Sequence, residues 1–327
     1  MLFKKFKIYN NELCPCGSGI IYAECCKNRV DKNIVRSKKP PNIQAVEKLR
    51  KAKIRCCLHP ETDKCAKHIK EAHALQNRKI ILQLAEDGHV YILNTNKAPV
   101  IIPIENEFPE IMTLIDKVGV NRATTATCFC DYHDDVVFAP IEKEAIFDKN
   151  SDEQKFLYAY KAFIFEYYKK LVEHKVFINE IKSKPSMLKT SFFIRQYRAI
   201  SLTLNEMEEV KAFFDKCLIN QNYSDLETCV LELPEKINIA NYASIAIDFD
   251  VNGCKIKHTK KNYINRLFLT IFPEETKSYI LMSCLKKDLC IYKSLFEQFS
   301  NLNPNKIKYY LDLILPLYSE NIVLSPR

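Results

Sequence analysis

The sequence lacks several features that common enzyme classes need. It has no Trp and only five Gly among its 327 residues. It contains no GxxxxGKS/T, GxGxxG or GxSxG motif, so glycine-rich nucleotide-binding loops are not expected. No apolar run reaches the ~18 residues that a membrane-spanning helix requires. The residues that carry chemistry in this chain are therefore expected among its other motifs.

We also expect no secretory signal at the amino terminus. Residues 1–7 are basic, but polar residues and cysteines follow them instead of an apolar segment and a small-residue cleavage site. We therefore expect a cytoplasmic protein. Its 14 Cys would then stay reduced, and clustered Cys and His in a reducing compartment indicate metal sites rather than disulfides.

The cysteines and histidines are concentrated toward one end of the chain. Nine of the 14 Cys lie in the first 130 residues, and five of the seven His lie between residues 59 and 133. The remaining thiols are scattered through apolar sequence, and we expect them to be ordinary buried residues. They are Cys217, Cys229, Cys254, Cys284 and Cys290.

Positive charge is confined to the same end. Residues 1–80 contain 19 Lys and Arg against 7 Asp and Glu, a net charge of +12, whereas residues 81–327 contain 30 against 33. A local excess of this size attracts polyanions, nucleic acid above all, through phosphate contacts and counterion release. The alternative interpretation is a solvated basic linker that keeps the protein soluble.

A first set of four thiols lies within thirteen residues. The segment CPCGSG begins at Cys14 and is followed by Tyr22 and by the pair Cys25-Cys26. Four thiolates are what a closed, tetrahedral structural Zn²⁺ site requires, and such a site has no open position for hydrolytic chemistry. The glycines let the backbone fold tightly enough to bring the two pairs onto one ion. We predict zinc ligation by Cys14, Cys16, Cys25 and Cys26.

This stretch resembles the SEC-C motif, a small zinc-binding segment of the bacterial translocation ATPase and of many other bacterial proteins. The resemblance covers about Asn11–Lys27 and includes the CPCGSG core, Tyr22 and the terminal Cys pair. It implies one bound zinc and an accessory module that docks a protein or ribosomal partner. It also implies a bacterial origin, but no activity.

A second Cys/His group spans residues 56–133 and is less compact. A treble-clef arrangement accommodates such a wide gap, because a knuckle supplies two ligands and a later helix start supplies two more. We predict that the ligands of this second structural zinc are Cys57, Cys65, Cys130 and His133. The sequence leaves open whether Cys56 or Cys128 replaces one of them.

The same group resembles a divergent HNH endonuclease, in which an Ala-His or Asp-His step precedes a later CxxCH. Ala72-His73 matches the step, and the later part places His133 where the last zinc Cys stands and Asp134 where the final His stands. The resemblance implies that His73 is a general base for water. It further implies that Asp134 holds Mg²⁺ or Mn²⁺, which prefer hard oxygen ligands.

The sequence departs from the HNH pattern at three points. The first CxxC is missing, the span from His73 to Cys130 is long, and only Asn94 and Asn96 are candidates for the middle Asn of the motif. The alternative is a treble-clef domain that holds zinc without catalysis. In that case His73 is a core or capping residue.

Hydrophobic periodicity predicts an α+β protein with a small N-terminal zinc knuckle, a treble-clef-like zinc domain and a C-terminal domain of helices and an antiparallel sheet. Helices are expected over 42–54 with Asn42 as N-cap, in the sequence that follows residues 56–75, from residue 152, and over 204–219 and 289–319 with a break near Pro304. Strands are expected at 90–93, 100–102, 229–233, 243–251, 266–272 and 278–284, with a turn at 94–97.

These elements predict four segments along the chain. They are a SEC-C zinc knuckle at 1–30, a basic linker and helix at 31–55, a treble-clef (HNH-like) zinc domain at 56–148, and a helical plus antiparallel-sheet domain at 149–327.

Three functional hypotheses follow. The leading one is a zinc-stabilised nucleic-acid-interacting bacterial protein that is a metal-dependent HNH-like endonuclease, with a defence role by analogy alone. The alternative is a non-catalytic zinc-binding adaptor that docks a protein or ribosome-associated partner. The third is a regulator that binds nucleic acid without cutting it. Nucleic acid is expected to bind through the basic first 80 residues and a protein partner through the SEC-C knuckle, and no membrane is expected to be involved.

Overall fold

The computed structural model describes residues 7–32, 38–93, 100–102, 110–112, 115–143, 146–258 and 264–326, and it contains helices together with antiparallel sheets. The chain is therefore α+β, as the sequence predicts. The helices are α1 Pro41–Ala52, α2 Leu82–Leu84, α3 Asp131–Val137, α4 Ala139–Glu142, α5 Asp152–Ser183, α6 Ser191–Asn220, α7 Leu289–Asn301 and α8 Pro304–Tyr318. The strands are β1 Ile69–His73, β2 His89–Leu93, β3 Val100–Ile102, β4 Glu110–Met112, β5 Ile115–Gly119, β6 Thr125–Cys130, β7 Leu226–Leu233, β8 Ile239–Ile245, β9 Leu267–Pro273, β10 Ser278–Leu285 and β11 Ile322–Leu324.

The chain divides into two compact units, and each is assembled from two stretches of sequence. The first consists of Met1–Ile54 and Tyr167–Glu209, and the second of Arg55–Glu166 and Val210–Arg327. The long helices α5 and α6 contribute residues to both units. The four segments expected from the sequence remain a prediction.

The second unit contains the largest sheet of the described residues. Its seven strands run in the order β5-β2-β11-β8-β9-β10-β7, and every neighbouring pair is antiparallel. All residues of β9 and β10 are buried, so both faces of these two neighbouring strands are covered. Helices α7 and α8 pack their apolar sides against the sheet and complete one hydrophobic core.

A smaller strand–strand–helix arrangement in the second unit positions the second Cys/His group. Strand β1 pairs antiparallel with β6, with Ile69 opposite Cys130 and His73 opposite Thr125. Helix α3 begins directly after β6. The helical sequence expected after residues 56–75 is present as a π-helical turn over Asn77–Ile81 and helix α2. Strand β1 itself forms because its backbone hydrogen-bonds with β6, a partner that local sequence does not reveal.

The other predicted helices are present, but some bounds differ. Helix α6 begins at Ser191, thirteen residues before the predicted start, and β8 spans Ile239–Ile245 where the sequence predicts 243–251. Helix α1 begins at Pro41, a residue suited to the first helical position because its ring fixes φ and its missing N–H needs no partner there. Pro40 is therefore the N-cap, and the prediction of Asn42 is wrong. The turn expected at 94–97 lies outside the described residues. No helix in the described part of the chain has the length and apolar character needed to cross a membrane.

Removal of a side chain from the centre of the second unit should lower stability strongly. Phe214 on α6 is 0% exposed, and its ring contacts those of Phe156, Phe163 and Phe268. Phe214→Ala should reduce the free energy of unfolding by about 3–5 kcal/mol. Phe192→Ala changes a ring on the same helix that is 68% exposed, and it should cost about 0.5 kcal/mol or less. Equal losses in urea denaturation would contradict this assignment of the core.

Candidate metal centres

The first centre is built on a tight loop whose turns require glycine. Gly17 and Gly19 have positive φ values of +73° and +75°, which residues with a side chain rarely adopt. The N–H of Cys14 donates to the Ile20 carbonyl at 2.8 Å and closes the loop. The chain then returns toward the loop through two short 3₁₀ turns, Tyr22–Glu24 and Cys26–Asn28.

The four predicted thiols of this loop meet at one point. The Sγ atoms of Cys14, Cys16, Cys25 and Cys26 all lie within 4.8 Å of one another, and that of Cys25 is 3.5 Å from Cys16 and 3.9 Å from Cys26. Sulfurs bound at ~2.3 Å to a tetrahedral zinc are about 3.8 Å apart, so the spacing fits the ion. Disulfide sulfurs are ~2.05 Å apart, so these are thiols.

The acidity of these thiols depends on burial and on their mutual contacts. Burial opposes ionisation of Cys16, but hydrogen bonds with Ser18, Cys14 and Cys25 outweigh it and lower the pKa of this thiol to about 7. Burial raises the pKa of Cys26, and its contacts with Cys14 and Cys16 raise it further. Four thiols in contact cannot all ionise alone, because each thiolate raises the pKa of the next. A doubly charged cation removes that repulsion.

An apolar shell surrounds the first centre. Cys14, Cys16 and Cys26 are buried together with side chains from the two long helices, so water has little access to the sulfurs. The shell consists of Ile8, Tyr22, Ile181, Leu188, Phe193 and Ile194. Four soft donors that are closed off from solvent form a structural site rather than a catalytic one.

The second centre lies at the end of the β1–β6 pair where α3 begins. Cys57 belongs to an extended segment beside β6, since the N–H of Leu58 donates to the Cys128 carbonyl at 2.9 Å. The other predicted ligands come from elements around that end. They are Cys65 after the 3₁₀ turn Thr62–Lys64, Cys130 at the last residue of β6, and His133 in α3.

These four side chains converge as closely as those of the first centre. Their donor atoms lie within 4.8 Å of one another, and Nδ1 of His133 is 3.2 Å from the sulfur of Cys130, 3.4 Å from that of Cys57 and 3.6 Å from that of Cys65. A sulfur and a nitrogen on the same tetrahedral zinc are about 3.6 Å apart. Three thiols and one imidazole nitrogen therefore fit this ion as well.

The alternatives Cys56 and Cys128 belong to none of the three converging groups found among the described residues. Cys128 points into the interior, and complete burial raises the pKa of its thiol well above the usual value. A buried protonated thiol is an ordinary core residue. The structure thus brings together the four ligands that were predicted first.

His59 supports the second centre, and sequence reasoning assigned it no role. Its ring stacks on that of His133 with 3.9 Å between centroids and 20° between planes. Burial, together with the charge of His133, lowers the pKa of His59 to about 4, so this ring is neutral at pH 7. The stacking helps to fix the orientation of His133. The ligand atoms of His59, Glu61 and His133 also lie within 4.8 Å of one another, so this pair belongs to a further group able to hold a metal.

The predicted general base His73 lies at the end of β1 and is held in one tautomer. Its Nδ1–H donates to the Ala123 carbonyl at 2.9 Å, which leaves Nε2 as an acceptor. Burial lowers the pKa of His73 against smaller opposing effects of Ala123, Glu142 and Asp134. A neutral imidazole with a free Nε2 is able to accept a proton.

The predicted cation ligand Asp134 is buried and already has a cationic neighbour. Its Oδ2 lies 3.0 Å from the ammonium of Lys70, which also contacts Asp135 at 2.8 Å. Its Oδ1 is buried without a hydrogen-bond partner among the described residues. The structure therefore places His73 and Asp134 on the same strand–strand–helix arrangement, but it pairs the carboxylate with Lys70. The candidates Asn94 and Asn96 lie outside the described residues.

Two lysines of this region have a structural role that the sequence does not predict. Lys70 is one of them, and Lys161 on α5 is the other, a buried ammonium that pairs with Glu142 and lies 4.6 Å from the ring centre of Phe138. Lys161 lies next to Tyr160 in the apolar stripe of α5. A charged residue in such a stripe is the sequence feature that would have indicated a buried ion pair.

Metal analysis should find two zinc ions per chain. Cys26→Ser and Cys130→Ser should each remove one ion, because three protein donors bind zinc far more weakly than four. Cys290→Ser, which changes an exposed thiol outside both groups, should leave the content at two. A wild-type content of one zinc by atomic emission would contradict the second centre.

The affinity of both centres for zinc should fall as the pH is lowered. Burial and neighbouring thiols raise the pKa of Cys65 to about 12 and raise that of Cys26, so these thiols hold protons near pH 7 until a metal displaces them. Affinity should drop about tenfold per pH unit for each displaced proton. Competition with a chelator of known pH dependence at pH 8 and pH 6 measures this, and equal affinities would show that the thiols ionise without metal.

Comparison with known proteins identifies one segment of the chain. The family model of the SEC-C motif matches residues 11–28, a stretch that contains all four thiols of the first centre. No curated protein and no solved structure matches the chain. The predicted SEC-C resemblance is thereby confirmed for this segment.

Proposed function

We propose that the chain is a zinc-stabilised, nucleic-acid-interacting protein whose strand–strand–helix arrangement around β1, β6 and α3 is a metal-dependent, HNH-like endonuclease centre. One observation carries the proposal. The strand–strand–helix arrangement that contains His73 and Asp134 also brings together the four ligands of the second centre, at its base, the end of the β1–β6 pair where α3 begins. These ligands are Cys57, Cys65, Cys130 and His133. A zinc ion at that base would fix the ends of the strand pair and the start of the helix.

The distribution of charge supports binding to nucleic acid. The first unit, Met1–Ile54 with Tyr167–Glu209, contains 21 Lys and Arg against 9 Asp and Glu, a net charge of +12. The second unit contains 28 against 31, a net charge of −3. A compact unit with this excess attracts phosphate backbones, and its affinity for them should fall steeply with salt.

The state of His73 supports a role as general base. Hydrolysis of a phosphodiester needs a group that takes a proton from water, and such a group must be unprotonated beforehand. Burial keeps His73 neutral near pH 7, and the Ala123 carbonyl fixes the proton on Nδ1. Nε2 is the atom that would accept the proton from water.

The carboxylate of Asp134 would hold the catalytic cation. Its Oδ1 is a buried oxygen without a hydrogen-bond partner among the described residues, and hard oxygen is what Mg²⁺ and Mn²⁺ prefer. A divalent cation bound there would stabilise negative charge on the phosphate and the leaving oxygen. Lys70 would first have to leave Oδ2 or share the carboxylate with the ion.

A second candidate function is the non-catalytic adaptor, and two observations favour it. Lys70 already supplies positive charge at Asp134, so the negative charge of the carboxylate is balanced without a metal ion. In addition, three large apolar side chains near the first centre are exposed, namely Tyr9, Leu13 and Ile20. Exposed apolar groups on a small rigid module are suited to docking a protein.

Cleavage assays with the zinc-loaded chain distinguish the two functions. Plasmid DNA and single-stranded RNA should be cut in the presence of Mg²⁺ or Mn²⁺. His73→Ala and Asp134→Asn should each reduce the rate by at least about a hundredfold. The first variant removes the proposed general base, and the second removes the carboxylate that would hold the cation. His89→Ala, which changes an exposed histidine of β2, should leave the rate unchanged.

Each outcome of these assays decides between the candidates. Cleavage that survives His73→Ala would remove the catalytic assignment. Absence of cleavage, together with tight and salt-insensitive binding of a protein partner, would favour the adaptor, and salt-sensitive binding of nucleic acid without turnover would favour a regulator. Lys70→Ala should increase cleavage if Lys70 competes with the cation at Asp134.

A further inference from the structure

Helix α8 exposes a line of large apolar side chains on the side opposite the core. Tyr309, Leu313 and Leu317 are 69%, 50% and 73% exposed, and their spacing of four residues places them above one another on the helix surface. Ile307 and Ile314 lie on the buried side of the same helix. Single exposed hydrophobic residues are common, but a continuous line on one helix marks an interaction surface.

The exposed side of α8 is arranged symmetrically about Leu313. Tyr309 precedes Leu313 by four residues and Leu317 follows it by four. The exposed Lys306 precedes it by seven, and the exposed Glu320, just beyond the end of the helix, follows it by seven. An antiparallel copy centred on Leu313 would therefore place opposite charges against each other. A parallel copy would place Lys306 against Lys306.

An apolar groove lies where an antiparallel copy would need one. It has a volume of about 600 Å³ and is lined by apolar residues of α8, β8, β11 and their surroundings. Leu317 is part of its wall, and the exposed Asp312 contributes carboxylate oxygens to the lining. Since Tyr309 of a second copy would lie opposite Leu317, its ring would enter the groove and its hydroxyl would reach these polar atoms.

We propose that this face binds a second copy of the chain, through an antiparallel pairing of the two α8 helices about a two-fold axis at Leu313. Such an interface is isologous, so each contact occurs twice. Leu313 contacts its own equivalent, each Tyr309 packs against Leu317 and the groove, and two ion pairs join Lys306 to Glu320. Stable interfaces bury ~800 Å² per partner, and a surface based on one helix and one groove is small by that standard, so we expect a weak dimer.

Sedimentation of the zinc-loaded full chain tests the pairing. The wild type should show a monomer–dimer equilibrium, and Leu313→Glu should be monomeric at about 100 µM because two carboxylates would meet at the axis. Leu202→Glu makes the same change at a leucine of α6 that is 48% exposed and outside the line, and it should dimerise normally. Unchanged circular dichroism and zinc content would show that the variants are folded.

Charge reversal tests the antiparallel direction. Lys306→Glu and Glu320→Lys should each weaken dimerisation about tenfold, since two attractive pairs become repulsive. The double variant should restore the wild-type dissociation constant, because the opposite charges face each other again. A monomeric wild type at about 100 µM, a dimer that persists in Leu313→Glu, or a double variant as weak as the single ones would each overturn the proposal.

Discussion

Donor atoms from separate parts of the chain meet within 4.8 Å at each of two centres. The conformation of the backbone around each centre is the one that this convergence requires. At the first centre the ligands are close in sequence, so two left-handed glycines and two 3₁₀ turns suffice. At the second, Cys57 and His133 are 76 positions apart, so a strand pair and a helix must form before the ligands can meet. The same chemistry is thus satisfied locally in one place and by tertiary structure in the other.

Metal coordination and hydrophobic burial have different roles in the second unit. The sheet has a continuous apolar core with α7 and α8, and this core is independent of metal. The strand pair β1–β6 is short, and short isolated strand pairs are marginally stable in water. An ion that joins its end to Cys57 and Cys65 closes a long loop, and constraints on long loops remove the most conformational entropy from the unfolded chain. A bound zinc ion would therefore add to the stability that the buried residues of β6 already give this strand pair.

Electrostatics link the second centre to the proposed chemistry. His73 is kept neutral by burial, whereas Asp134 is buried beside an ammonium group. Both conditions come from the same low-dielectric surroundings, which penalise an isolated charge and favour a paired one. Whether Asp134 prefers Lys70 or a divalent cation is therefore what separates a nuclease from a structural zinc unit. The positive charge of the first unit is a separate property, and it concerns the affinity for phosphate rather than the reaction.

The sequence by itself determined the features that depend on local chemistry. The spacing of Cys14 to Cys26 fixed the first centre, and periodicity predicted α5, α7, α8 and the strands β7 to β10. It also supplied the eight candidate ligands, since Cys and His clustering needs no knowledge of the fold. Tertiary structure decided the rest. Residues 69–73 form a strand because β6 lies beside them, His59 stacks on His133, Lys70 neutralises Asp134, and β2, β5 and β11 join one sheet. Each of these contacts joins residues brought together by folding, which a local pattern cannot encode.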